Sequence, residues 1–87
     1  MEEFGRYVTR QKLVIVGDVG ASSFVPWIER HGFKLGLKHI VCRGSACCVE
    51  VEAEGLEEML DAMEVGCLLG PAEVWVESVT RVRLTNW

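Results

Sequence analysis

The residues of this chain whose types and spacing suit chemistry lie in Gly17–Phe24, which reads GDVGASSF. A strand that turns through glycines into a helix leaves backbone N–H groups free at the helix start. Those groups and the helix dipole together favour an anion. Gly20, Ala21, Ser22, Ser23 and Phe24 are therefore candidate anion-binding positions. Ser22 and Ser23 add hydroxyl donors and are equally suited to cap the helix. Asp18 beside them opposes a phosphate dianion. Other reactive types are scattered. His31 and His39 are the two histidines, and no spacing joins them to each other or to a cysteine. Cys42, Cys47, Cys48 and Cys67 lack the paired C-x2-C arrangement of a zinc site. Cys47 and Cys48 are adjacent, so in a strand they point to opposite faces. The thiols are read as reduced, small apolar residues, and no metal or cofactor is expected.

The 87 residues fit one small domain, and 49% hydrophobic composition supplies a core. No apolar run approaches the ~18 residues of a membrane span. Met1–Arg10 carries two early glutamates and no apolar h-region, so a cytoplasmic protein without a signal peptide is the expectation. A net charge of −4 argues against a nucleic-acid partner, which needs clustered Lys and Arg. The stretches that could form a local basic patch are Arg6–Lys12 and Arg81–Arg83.

The elements that must position the loop follow from periodicity. Met1–Gln11 has no clear period and reads as a flexible lead-in able to extend the first strand. Lys12–Val16 is a β-branched run ending at Gly17, hence a buried strand. Ser22–Lys34 reads as a helix starting near Ser23, with Pro26 in its first turn and Gly36 as its stop. Leu37–Arg43 and Cys47–Ala53 are strands joined by the turn Gly44-Ser45-Ala46, a β-hairpin. Val49 and Val51 alternate with Glu50 and Glu52, which marks a sheet with one face in water. Gly55 opens a second helix, in which Leu56, Met59, Leu60 and Met63 share a face. Gly66, Gly70 and Pro71 end it. Val74–Leu84 is the last strand, interrupted near Glu77-Ser78. Trp27 and Trp75 are read as core or sheet-face residues and Trp87 as a tail residue. The order is β-α-β-β-α-β, an α+β ferredoxin-like arrangement with one antiparallel sheet and both helices on one face.

Over about seventy residues without a gap, this pattern resembles the acylphosphatase family. Gly17-Asp18-Val19-Gly20-Ala21-Ser22-Ser23-Phe24-Val25 is similar to its Gly-x-Val-Gln-Gly-Val-x-Phe-Arg loop. Leu35-Gly36-Leu37 looks like its Leu-Gly-Leu segment. Val49-Glu50-Val51 with Gly55, Glu57-Glu58 with Leu60, and Gly70-Pro71 with Val76 and Val79 match later stretches. The resemblance implies the fold, and it implies hydrolysis of acyl phosphates by an arginine that holds the phosphate and an asparagine that positions water. Val25 stands at the arginine's place and Arg43 at the asparagine's. Valine carries neither charge nor donor, and a protonated guanidinium cannot align water as an amide carbonyl does. No catalytic residue is therefore assigned. The reading is an acylphosphatase-like domain with lost or very weak hydrolysis, serving as a small anion-binding or regulatory module for phosphate or a similar ion. One alternative is an active enzyme in which Arg43 supplies the phosphate-binding cation. Another is a protein-interaction module that uses its sheet face or edge.

Overall fold

The computed structural model describes residues 8–84. Residues 1–7, Trp87 and the Arg6 end of the basic N-terminal stretch lie outside the described residues. The elements are β1 (Val8–Asp18), α1 (Phe24–Lys34), β2 (Lys38–Gly44), β3 (Cys48–Leu56), α2 (Glu57–Leu69) and β4 (Trp75–Arg83). They make one sheet in the order β2-β3-β1-β4, with every neighbouring pair antiparallel. This is the ferredoxin-like order expected from the sequence.

Alternation divides the sheet into two chemical faces. Leu13 and Ile15 on β1 and Val49, Val51 and Ala53 on β3 point to the covered face and are buried. Phe24 and Ile28 of α1 and Leu60, Met63 and Cys67 of α2 join them in a single core. Both helices therefore lie on the same side, and each such buried aliphatic contributes about 1.5–3 kcal/mol. On the open face, Arg10 meets Glu52 at 3.1 Å and Lys12 meets Glu50 at 3.6 Å. The residues directly across are Glu54 and Glu52, so each cation reaches to the next diagonal carboxylate.

Several boundaries differ from the sequence expectation for physical reasons. Val8–Gln11 pair with Ala53–Leu56 and belong to β1 rather than to a lead-in. Gly55 does not open α2; it is buried in β3 opposite Thr9, where a Cβ would run into the Leu37 side chain. Gly66 does not end α2, because the His31 ring fills the space beside its backbone and the helix runs on to Leu69. Gly70, at φ +64°, provides the stop. β4 is continuous, and its expected interruption is a bulge: Val16 pairs with Ser78 but Gly17 pairs with Val76, leaving Glu77 extra. Trp27 packs against the core, whereas Trp75 is 71% exposed at the start of β4.

A charged cluster ties α2 to the sheet. Glu57, Asp61 and Glu64 fall on one stripe of α2, at 2.5, 2.6 and 3.1 Å from the Arg81 guanidinium. Arg81 also donates to the buried Gln11 at 3.0 Å, and Gln11 donates in turn to Glu57 at 2.9 Å. Burial works against the Arg81 charge, but Asp61, Glu57 and Glu64 outweigh it and hold the guanidinium pKa above its ordinary value. Arg81→Ala strands three carboxylates together, and we expect a loss of about 1–3 kcal/mol, since the acids are partly solvated. Urea unfolding of the variant beside the unsubstituted chain at neutral pH should show that loss.

Candidate functional site

The loop between β1 and α1 is held by backbone rather than by side chains. Gly17, one residue before the end of β1, has φ +154°, and a Cβ there would collide with the Trp75 carbonyl of β4. Only glycine passes this point without displacing the bulge. The Gly17 N–H donates to the Cys47 carbonyl at 3.2 Å, and the Val19 N–H donates to the Ala46 carbonyl at 3.0 Å. Gly20 then passes so close to Ala46 that an added Cβ would sit 2.9 Å from its Cα. The loop is thus stapled to the β2–β3 turn, with the Val19 side chain buried as an anchor.

Past the staples, the chain turns into α1 in a manner the sequence did not anticipate. The Phe24 N–H donates to the Ala21 carbonyl at 3.0 Å, which removes Phe24 from the set of free donors. Ser23 occupies the N-cap position, but its backbone is already right-handed helical and its hydroxyl makes no capping bond. A capping residue normally has extended backbone, so the tight turn from Ala21 to Phe24 replaces the side-chain cap. Among the described residues, the amides of Gly20, Ala21, Ser22 and Ser23 have no backbone acceptor.

Gly20, Ala21 and Ser22, but not Ser23, border a cleft of about 380 Å³, open on one side and floored by Val19, Val25 and Val49. Gly44, Ser45 and Ala46 form its far wall. Those three turn residues escaped the sequence reading as site residues. Their signal was the antiparallel register, which brings the end of β1 beside the start of β3. No charged side chain lines the cleft. Val25 faces it from the first turn of α1. Arg43 does not line it; it sits opposite Glu50 in the β2–β3 ladder and borders a neighbouring hollow of about 330 Å³ with Glu50, Ser45 and Cys48. The two hollows meet at Gly44 and Ser45.

The histidines stay apart from this region. His31 stacks on Trp27 with ring centroids 5.0 Å apart, and His39 is exposed at the irregular start of β2, at φ +54°. Among the described residues, no group of three or more His, Cys, Asp or Glu is placed to hold a metal ion. No helix there is long and apolar enough to cross a membrane.

No protein-family model matches the chain, and no curated protein matches it in sequence. Its fold is nevertheless that of solved acylphosphatases. The acylphosphatase from Coxiella burnetii superposes with a TM-score of 0.83 at 16% identity, over 95% of this chain and 90% of that one. The Bacillus subtilis acylphosphatase gives 0.79 at 17% identity, over 93% and 89%. Full-length HypF, in a phosphate- and nucleotide-bound form, gives 0.80 at 18% identity, over 91% of this chain and 10% of that one.

The four cysteines are free thiols in unlike settings. Cys67 lies in the core, where burial first and Cys42 second push its pKa up to about 12. Burial, with Glu29 nearby, pushes Cys42 up to about 11. Cys47 is exposed on the turn beside the cleft, so it does not serve as the small apolar residue expected of it. Alkylation at pH 8, followed by peptide mass mapping, should label Cys47 first. Cys42 should lag behind it, since burial disfavours its thiolate and thiolate is the reactive form, and Cys67 should react only on unfolding.

Proposed function

We propose that this acylphosphatase-fold domain lacks useful acyl-phosphate hydrolysis and binds a small anion weakly at the loop cleft, as a binding or regulatory module of the reducing cytoplasm. The observation that carries the reading is the lining of the cleft. Backbone donors at Gly20, Ala21 and Ser22 remain along it, while the wall that would need a cation is Val25. A positioned guanidinium in phosphoryl transfer is worth about 10³–10⁵ in rate. Losing the water-aligning group removes a separate positioning contribution. Arg43 is a poor substitute for the cation, because its own hollow holds the Glu50 carboxylate.

Acyl phosphate is the substrate class to test, because the structural neighbours are named acylphosphatases. Turnover of a simple acyl phosphate should stay near background beside an active acylphosphatase, and robust turnover overturns the proposal. Val25→Arg with Arg43→Asn should raise the rate if the stapled loop still has a productive shape. Inorganic phosphate, titrated by NMR, should move the amides of Gly20 to Ser23 with a Kd on the order of millimolar, about 4 kcal/mol. Asp18→Asn should tighten that binding. Amides unmoved at high phosphate would leave the cleft without an anion-binding role.

A further inference from the structure

The two edges of the sheet are unequal. β2 protects itself: its ladder to β3 is irregular between Lys38 and Val41, and His39 adopts a left-handed backbone there. Such irregularity and exposed cations are how edge strands avoid pairing. β4 is regular from Ser78 to Arg83, contains no proline, and has no neighbour on its outer side among the described residues. The Leu84 N–H donates to the Arg10 carbonyl at 2.9 Å. Hydrogen-bonded pairs alternate along an antiparallel ladder, so Val82, Thr80 and Ser78 also bond inward to β1. Val79, Arg81 and Arg83 are left with N–H and C=O groups directed outward.

We propose that β4 is a self-association edge, and that its partner is a second copy of this chain paired antiparallel about Val79. Charge and side-chain placement favour that register. It sets Glu77 opposite Arg81 of the second copy and one diagonal step from its Arg83. Arg81 is committed to α2, but the Arg83 side chain is 64% exposed and only loosely held, 3.7 Å from Glu57. It is therefore available to Glu77 of the other copy, twice over by symmetry. The bulge at Glu77 turns Val76 towards the core and leaves Trp75 on the open side, with Val82. Trp75 of one copy then comes beside Val82 of the other, covering residues that are 71% and 46% exposed. A register about Thr80 sets Glu77 opposite Arg83 but carries Trp75 one step further past Val82, and one about Arg81 stacks like charges at its centre. Each copy carries a net charge of −4, so association relies on this local match against a general repulsion.

An edge-to-edge contact is small, so the Kd should fall at about 10–100 µM. Sedimentation velocity of the full chain across that range should show a monomer–dimer equilibrium, and the amides of Val79, Arg81 and Arg83 should shift with concentration. Glu77→Lys and Arg83→Glu should each weaken the dimer by at least about tenfold. The exchanged pair Glu77→Arg with Arg83→Glu should recover only part of it, because the new cation at position 77 also faces Arg81 of the other copy, with thermal unfolding confirming that every variant folds. A monomer at all concentrations overturns the proposal, as does a dimer indifferent to both single charge changes. Outward amides protected from hydrogen exchange independently of concentration also overturn it, since another part of the same chain then covers the edge.

Discussion

Everything in this domain hangs on β1 being paired along both of its edges. Its backbone bonds to β3 on one side and β4 on the other, and its alternate side chains supply the centre of the core and the centre of the open face. A one-residue slip would carry Leu13 and Ile15 into water and Lys12 into the core. The registers of β3 and β4, and the positions of the helices they lead into or out of, follow from that single strand. The loop inherits its place from the same source, since it begins where β1 must leave the sheet.

Charge does a different job on each side of the sheet. On the open face it is spread as partly exposed cross-strand pairs, Arg10 with Glu52 and Lys12 with Glu50, which add little stability but oppose a slipped register. Against α2 it is concentrated: one half-buried guanidinium is met by three carboxylates and a buried amide. That cluster fixes which stripe of α2 faces β4. It explains how a helix whose outer surface carries the exposed Val65 and Leu69 still presents Leu60, Met63 and Cys67 inward.

The fold was legible because its signals are periodic. Val49–Glu52 alternate and Leu60 and Met63 keep helical spacing, so element type and order could be read directly. Glycines were harder. Gly36 and Gly70 have positive φ and act as stops, as composition suggests. Gly55 and Gly66 instead make room for Leu37 and His31, partners far away in sequence. The loop was legible as a place but not in detail. Whether Phe24 offers a free amide or Ser23 caps depends on backbone torsions, and neither residue type encodes those alone. The far wall at Gly44–Ala46 needed the β1–β3 register, a long-range fact. The side of the hairpin taken by Arg43 depended on the same register.

The two staples from Gly17 and Val19 to the β2–β3 turn have a consequence for recognition. Loops that close around a ligand surrender conformational entropy at the moment of binding, and that loss is subtracted from affinity. Here the loop is held at Gly17 and Val19 by bonds to Cys47 and Ala46 that involve no ligand. The cradle is a mould set in advance. The affinity of anything it receives depends on the donors and walls it presents, and a single side chain at position 25 can change that affinity without reshaping the loop.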